Sequence, residues 1–575
     1  MNFDELLDAA EKCDVSKIKH TKLAILGSHA TQFLNMALQA AGQISEINYH
    51  IYEADYDQIE MEILNPDSGL YEFAPDYVFI IQSGLSLQKL FYQLKDQDKA
   101  NFADMIESKW NDLTLQLLEH RPKAKVLLMS YELLNDNVFG NYYPKVRNSF
   151  YHQLTEINYR LMKLAEKNDS LYLVDTNSLF LRRGIDQARN WSQYVNSDLH
   201  FSLDFYADIS IAVTGIIASL TGRFKKCVIL DLDNTLWGGV IGDDGLSNIQ
   251  IGSLGIGKAF TNFQKWLLQL KERGIILAVC SKNTEEVAKE PFLQHREMIL
   301  RLDDISVFVA NWSNKADNIR YIQDILNIGF DSMVFVDDNP AEREIVRNNL
   351  PMVCVPELPE DPALYLDYLI SLNLFETTTH SENDSIRTKQ YQEESERKKL
   401  QFTVTNMDEF LASLEMTGSI EPFTEEDFPR LAQLSQRSNQ FNLRTVRHTQ
   451  SDIEQLAHDP KYITMSVKLR DKFGDYGLIS IIIVELRENR EAFINTWLMS
   501  CRVLKRGVEE LVLNYIIEKA KEKGYDVVIG EYLPTAKNKL VEKHYPNLGF
   551  ETCGENLYKI EVNNYNNLKH FIKND

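Results

Sequence analysis

Residues Cys227–Val228–Ile229–Leu230–Asp231–Leu232–Asp233–Asn234–Thr235–Leu236–Trp237–Gly238–Gly239 decide how the rest of the chain is read. The apolar run from Cys227 to Leu230 has the pattern of a buried strand, and it stops on two aspartates before a glycine pair. Ligands of an open α/β sheet bind beyond the carboxyl ends of its strands, so these acids face a site. Side chains alternate along a strand, which puts Asp231 and Asp233 on one side and Leu232 on the other. Carboxylates that close repel unless a cation lies between them or one takes a proton. Taken alone, an Asp-x-Asp at a strand end equally marks a turn or a helix cap.

Outward from there, Gly274–Ile275–Ile276–Leu277–Ala278–Val279–Cys280–Ser281–Lys282–Asn283 is a second buried-strand pattern and ends on a hydroxyl. Asn311–Trp312–Ser313–Asn314–Lys315–Ala316–Asp317–Asn318–Ile319 places a lysine just inside a helical pattern. Ser332–Met333–Val334–Phe335–Val336–Asp337–Asp338–Asn339–Pro340 is a third strand closing on paired acids. An attacking carboxylate, a second one to move a proton and a divalent metal are the parts of a phosphoryl-transfer centre. These pieces, in this order, resemble the haloacid dehalogenase (HAD) superfamily of phosphatases and phosphotransferases. The resemblance implies that Asp231 is the nucleophile that becomes an aspartyl phosphate, Asp233 the general acid/base, and Thr235 a turn residue steadying both. It implies that Ser281 and Lys315 bind the phosphoryl oxygens, the lysine as a point charge. Asp231, Asp233, Asp337 and Asp338 are the implied metal set; hard oxygen donors suit Mg²⁺, and Mn²⁺ satisfies the same set.

At 575 residues the chain holds about three or four domains of roughly 150 residues each. A net charge of −23 speaks against an extended nucleic-acid surface. Six cysteines (Cys13, Cys227, Cys280, Cys354, Cys501 and Cys553) lack metal-ligand spacing, which points to reduced thiols and a cytoplasmic setting. Met1–Asn2–Phe3–Asp4–Glu5 is acidic, unlike the start of a signal peptide. The longest uncharged apolar stretch, Ile209 to Leu220, reads as too short to span a bilayer, so no membrane partner is expected.

Residues 1–222 read as a first domain. Leu23–Ala24–Ile25–Leu26 is a strand ending at Gly27–Ser28–His29, and Tyr77–Val78–Phe79–Ile80–Ile81 and Lys125–Val126–Leu127–Leu128–Met129 are further buried strands. Strands separated by helix-length segments imply a parallel sheet with helices on both faces, of SGNH or flavodoxin type. Gly27–Ser28 and the late Asp198–Leu199–His200 resemble the SGNH hydrolase layout, which implies Ser28, Asp198 and His200 as its site. The usual Gly-Asp-Ser entry is absent and one residue instead of two separates the Asp from the His, so a recognition or scaffold role on the retained fold is the favoured expectation.

Residues 223–375 carry the HAD-like Rossmannoid core. The gaps from Asp231 to Ser281 and from Ser281 to Lys315 leave no room for a large cap; the first holds a loop rich in glycine and acid, then the helix Ala259 to Arg273. A capless site stays open to a bulky partner or is covered by another domain, and something must exclude water during turnover. The run from Asp231 through Gly242, then Ser281–Lys282–Asn283 and Phe335–Val336–Asp337–Asp338–Asn339–Pro340, is similar to the FkbH-like subfamily, and that similarity extends over nearly the whole chain. It implies removal of phosphate from 1,3-bisphosphoglycerate and passage of the glyceryl group, through an enzyme thioester, to the phosphopantetheine thiol of an acyl carrier protein. Cys280 and Cys501 are the candidate thiols. Alternation turns Cys280 away when Ser281 faces in, and Arg502, Lys505 and Arg506 surround Cys501 with charge that favours a thiolate.

The charged stretch 376–400 reads as a linker, and 401–575 as a GNAT-like mixed α/β domain. Ile463 to Leu469, Gly477 to Val484 and Ala492 to Ser500 are strand-like, and Cys501–Arg502–Val503–Leu504–Lys505–Arg506–Gly507–Val508–Glu509 opens a helix. Strand, turn and helix resemble the pyrophosphate-binding segment of GNAT acetyltransferases, where backbone N–H groups grip CoA. Arg502, Lys505, Arg506 and Gly507 are thereby implied as a CoA or phosphopantetheine site, although Lys505 stands where a glycine belongs. The composite expectation is a multidomain α/β enzyme, an Mg²⁺-dependent HAD-type phosphatase that transfers a glyceryl group from a phosphorylated small molecule to a carrier-protein thiol. Its rivals are a simple HAD phosphatase on a small phosphometabolite in polysaccharide or secondary metabolism, and a non-enzymatic scaffold that binds a carrier protein.

Overall fold

The structure, a computed structural model, describes residues 1–379, 393, 397, 400, 406–535 and 537–574, with Cys501 described by its backbone alone. Most of the expected linker, and the Cys501 thiol, therefore lie outside the described residues. The chain divides into two compact units, Met1–Ala218 and Ser219–Asp575.

The first unit is built on a five-stranded parallel sheet in the order β2-β1-β3-β4-β5, with β1 His20–Gly27, β2 Asn48–Glu53, β3 Tyr77–Ile81, β4 Lys125–Met129 and β5 Leu171–Val174. The strand order reverses between β1 and β3, which opens a crevice beyond Gly27 and Ile81. Helices α1 (Gln32–Ile44) and α2 (Gly84–Gln93) leave from those two strand ends. The apolar stretch ending at Leu220 is longer than expected: it belongs to the 18-residue helix α3 (Leu203–Leu220), long and apolar enough to cross a membrane by length and composition. Two thirds of that helix (67%) is nevertheless buried, and Phe205, Tyr206, Ile209, Val213 and Ile217 are core residues.

The second unit begins with a four-stranded parallel sheet, order β8-β7-β6-β9: β6 Cys227–Leu230, β7 Ile276–Ser281, β8 Val307–Ala310 and β9 Met333–Val336. Leu230 is level with Val279 on one side and Val336 on the other, so the strands finish together. Alternation sorts the core. Val228, Leu230, Leu277 and Val279 pack under α4 (Gly257–Glu272), whereas Cys227, Ile229, Ala278 and Cys280 pack under α5 (Lys315–Leu326) and α6 (Pro340–Asn349). Between β6 and α4 there is only a short flap, held by reciprocal bonds between Gly238 and Gln250 (3.0 and 2.8 Å).

The rest of the second unit is an eight-stranded mixed sheet. Its strands β10 Thr417–Glu421, β11 Tyr462–Asp471, β12 Gly474–Leu486 and β13 Glu491–Met499 form an antiparallel meander, and helix α7 (Val508–Glu522) returns the chain so that β14 Val527–Glu531 runs parallel to β13. Short strands at both sheet edges complete it. This part grips the amino ends of β6 and β9: Lys226 Nζ donates to Arg437 O (2.7 Å), Asn439 Nδ2 to Gly222 O (2.7 Å), and Lys537 pairs with Asp331 (2.5 Å). Those contacts lie at the opposite end of the sheet from Asp231.

Candidate active site

Asp231 follows β6 and is pinned to its neighbour by its own amide, which donates to Val336 O (2.9 Å). Asp337 and Asp338 follow β9, and carboxylate oxygens of Asp231, Asp337 and Asp338 lie within 4.8 Å of one another. Asn314 caps α5 by accepting from Ala316 N (2.8 Å), and that start places Lys315 in the site. Lys315 Nζ, 2% exposed, sits 3.0 Å from Asp231 Oδ1 and 2.5 Å from Asp337 Oδ2. One ammonium against three carboxylates leaves the centre short of positive charge.

The electrostatics agree. Burial pulls the Lys315 ammonium down, but Asp231 and Asp337 outweigh it and hold the group protonated, above its usual range. Burial and then Asp231 push Asp337 up to about 6 against the pull of Lys315, and the same causes raise Asp338. Crowded, partly desolvated carboxylates of this kind are what a hard divalent cation relieves, so the donor set fits Mg²⁺. Behind the acids, Arg343 Nη1 donates to Asp337 O (2.9 Å) and Asp338 O (2.7 Å) while Nη2 holds Glu357 (2.6 Å), which fixes the backbone of the acidic turn.

Two expectations need correction. Asp233 is not among the clustered acids: Oδ1 accepts from Trp237 Nε1 (2.9 Å) and Ile241 N (3.0 Å), and Oδ2 from Asn283 Nδ2 (2.8 Å), so its side chain is engaged elsewhere. Thr235 does not bond to Asp231 or Asp233; its Oγ1 accepts from Asp338 N (3.1 Å) and donates to Asp338 Oδ1 (3.3 Å), joining the β6 turn to the β9 turn. Ser281 is buried at the end of β7, its Oγ accepting from Asn283 Nδ2 (3.2 Å).

The FkbH N-terminal domain family matches residues 22–218. The N-terminal part of BF1531 from Bacteroides fragilis, a structure containing a phosphatase domain complexed with Mg, is similar at 47% identity and a TM-score of 0.63, over 66% of this chain and 100% of that one. The chain belongs to the FkbH-like subfamily of the HAD superfamily. Its middle part is therefore an HAD-like phosphatase domain. Far more distant are the ribosomal-protein-S18-alanine N-acetyltransferase of Escherichia coli (14% identity, 25% of this chain, 94% of that chain, TM-score 0.20) and the spermidine N-acetyltransferase of Vibrio cholerae in complex with CoA and spermine (13%, 26%, 96%, 0.22). At those values neither bears on the chemistry of this chain. No curated protein matches it.

In the first unit of this FkbH-like protein, Ser28, Asp198 and His200 do not assemble as expected. His200 Nε2 is 3.3 Å from Asp198 Oδ1, but Nδ1 meets Ser83 Oγ (2.5 Å), while Ser28 Oγ meets His29 Nδ1 (3.3 Å) and Ser86 Oγ (3.1 Å). The cause is a buried ion pair. Arg189 holds Glu132 (2.5 Å) and donates to His200 O (3.0 Å), and Glu132 accepts from Gly84 N (3.0 Å), tying the His200 loop to the Ser83–Gly84 turn. Ser83 is buried as the N-cap of α2, whereas the Asp198 side chain is 56% exposed, the reverse of what a reachable hydroxyl backed by a buried acid requires.

The other candidates of the FkbH-like chain are also corrected. Cys280 is a core residue facing α5, and burial pushes its thiol up to about 12 against the pull of Lys315. Arg502 and Arg506 are buried: Arg502 Nε donates to Ser500 Oγ (3.2 Å), and Arg506 lies 3.8 Å from Asp471. Lys505 adopts φ +62° just ahead of Gly507 at φ +84°, and its amide is 3.3 Å from Glu509 Oε1, a carboxylate of the same helix start. The side chains of Arg502 and Arg506 are thus turned inward, and Lys505 is the exposed cation of the turn. Beyond Ile494 and Gly530, where β13 and β14 cease to pair, the chain's own Phe441–Leu443 fills the gap, through Leu443 N to Trp497 O (3.3 Å), Met499 N to Phe441 O (3.1 Å) and Leu533 N to Leu443 O (2.9 Å).

Asn283, Trp237 and Arg343 were missed as site residues. The first carries a signal in hindsight, since two residues past Ser281 it shares that residue's side of the chain. Trp237 and Arg343 carry none, because their roles come from a turn and a helix that bring them back upon the acids.

Proposed function

We propose that this FkbH-like protein is an Mg²⁺-dependent phosphatase that works through an aspartyl phosphate on Asp231, acts on a phosphorylated glyceryl acyl phosphate and hands the acyl group to a carrier-protein thiol. The observation that carries the phosphatase reading is the convergence of Asp231, Asp337, Asp338 and Lys315 where parallel strands finish. Held by Asp231, Asp337 and Asp338, the cation would offset the charge of the acids and of a phosphoryl group. Lys315 Nζ and Ser281 Oγ orient the phosphoryl oxygens. An Asp231 oxygen attacks phosphorus, and the P–O bond to the leaving oxygen breaks with its electron pair going to that oxygen, which Asp233 protonates where it is an alkoxide. Water then attacks the aspartyl phosphate and gives a proton to Asp233, and the P–O bond to Asp231 breaks to release inorganic phosphate.

Acyl transfer needs a different bond broken. The carrier thiolate attacks the acyl carbon, and the C–O bond to the acyl phosphate breaks with its electron pair leaving on phosphate. The group removed at Asp231 is then a phosphate ester elsewhere on the same molecule. The burial of Cys280 favours the simpler reading as an alternative, a phosphatase without an enzyme-bound thioester at that residue. Incubation with 1,3-bisphosphoglycerate and Mg²⁺, with and without a holo carrier protein, tests both. Phosphate release with a glyceryl mass gain on the carrier supports the full proposal. Phosphate release without that gain leaves the phosphatase alone, and no release that depends on Asp231 removes the enzymatic reading.

A further inference from the structure

We infer that Trp237 and Asn283 are positioning residues for Asp233, an inference that rests on the phosphatase reading above. Asp233 has donors on both oxygens: the Trp237 indole N–H and the Ile241 amide on Oδ1, the Asn283 amide on Oδ2. An aspartate terminal torsion is broad, so a carboxylate held at one oxygen swings, and one held at both does not. Trp237 is rigid. It is fully buried in the core with Leu232 and Leu236, edge-on to Phe292 at 6.0 Å, and its single donor goes to Asp233. Asn283 is buried as well, and its Nδ2 is shared between Asp233 Oδ2 and Ser281 Oγ, so it sets the acid/base relative to the group that meets the phosphoryl oxygen.

The two side chains come from different strands, β6 by way of its turn and β7 by way of its end, so together they lock Asp233 to the sheet that carries Asp231. Removing either leaves the Ile241 amide and one side-chain donor. A proton-transfer group set about an ångström off its place loses about a hundredfold.

p-Nitrophenyl phosphate with Mg²⁺ is the probe, because its leaving group needs little protonation and the second step, where Asp233 takes the proton from water, is exposed. Trp237→Phe and Asn283→Ala are expected to lower kcat about 10- to 100-fold and to raise the steady-state fraction of enzyme carrying hydroxylamine-labile phosphate. Trp237→Phe leaves KM and the Mg²⁺ half-saturation in place, whereas Asn283→Ala also raises KM, because Ser281 loses its partner. Unchanged kcat overturns the inference, as does a lowered kcat with no accumulation of phosphoenzyme. Should Trp237→Phe fail to fold, the same readouts on Asn283→Ala decide. A parent protein whose turnover survives Asp231→Asn overturns the phosphatase reading and this inference with it; an active parent with unaffected variants overturns this inference alone.

Discussion

Beyond β1 and β3 of the first unit, hydroxyls and imidazoles bond to one another: His29, Ser28, Ser86, Ser83, His200 and Asp198 form a continuous chain, over a buried Glu132–Arg189 pair. Beyond β6 and β9 of the second unit, the acids Asp231, Asp337 and Asp338 surround one ammonium. Both gatherings sit where parallel sheets place ligands. They differ in what is left over. The first balances its buried charge, Arg189 against Glu132, although His29 Nε2 and Arg189 Nη1 stay without a hydrogen-bond partner among the described residues. The second keeps an excess of carboxylate with no protein counter-charge, which is stable only if something from outside completes it. A strand-end location is common to both, and unmet charge separates them.

The largest effect that tests this contrast is on turnover. Asp231→Asn is expected to lower Mg²⁺-dependent phosphate release by more than about 10³-fold, whereas Ser83→Ala in the first unit leaves it unchanged. A phosphate-release assay on both variants reads the difference directly. Loss of activity in Ser83→Ala would show that the hydroxyl–imidazole chain serves the reaction and would undo the contrast.

Stability gives the next test. Lys315→Met removes the lone cation from the acids and Arg189→Met removes the cation from Glu132; each breaks a buried pair at a cost of about 3–5 kcal/mol. Urea unfolding separates them by their response to Mg²⁺. Saturation at about 100 times the dissociation constant returns about 2.7 kcal/mol to a protein that binds the ion. The parent and both variants gain free energy on binding the ion, so the deficit relative to the parent is what counts. That of Lys315→Met is expected to shrink as Mg²⁺ is added, because the acids bind the cation more tightly without the lysine. That of Arg189→Met, whose lesion lies in the first unit, is expected to stay.

How much of this was legible in the sequence follows from the reach of each interaction. Buried strands ending on Asp231, Ser281 and Asp337 were readable because period and polarity change within a few residues. Alternation also foretold that Cys280 would lie under a helix when Ser281 faced the site. The partner of His200 was not readable, since Ser28 and Ser83 both end buried strands and the choice is made by Arg189 and Glu132, distant in sequence and silent until folded. That the Asp233 carboxylate stands outside the acid cluster was hidden for the same kind of reason. Spacing puts it on the side of Asp231, but the turn after β6 returns Trp237 and Ile241 to its oxygens. The short strands β2 and β5 escaped because Asn48–Glu53 is polar and half-exposed and Leu171–Val174 is brief.

A smaller effect concerns protons. His544 is buried against Phe441 and Trp497, and burial alone drops it to about 3. Its folded value lies below the ordinary 6.5, so its stabilisation is complete above that pH and is lost as the pH falls toward 3. Asp337, raised to about 6 by burial and Asp231, runs the other way, since the native state takes up its proton first. The clean measurement is therefore a difference. The stability of the parent relative to His544→Phe is expected to fall by about 2 kcal/mol between pH 6.5 and pH 5. A pH-independent difference would mean that His544 titrates normally and that the second unit is more open there than its packing indicates.

The smallest effect returns to the two gatherings through a single hydroxyl in each. Thr235→Val keeps shape and removes the oxygen that accepts the Asp338 amide, leaving a half-buried donor unmet at a cost of about 1 kcal/mol. Ser83→Ala removes a helix cap and the His200 partner at a cost of about 1 kcal/mol. Their free energies are similar, so stability alone does not distinguish them. The Mg²⁺ dependence of turnover does: Thr235 orients Asp338, one of the clustered acids, so Thr235→Val is expected to raise the half-saturating Mg²⁺ concentration, and Ser83→Ala is not. If both variants titrate Mg²⁺ as the parent does, Asp338 is held well enough by Arg343 on its carbonyl, and Thr235 belongs with the charge-balanced polar groups of the first unit.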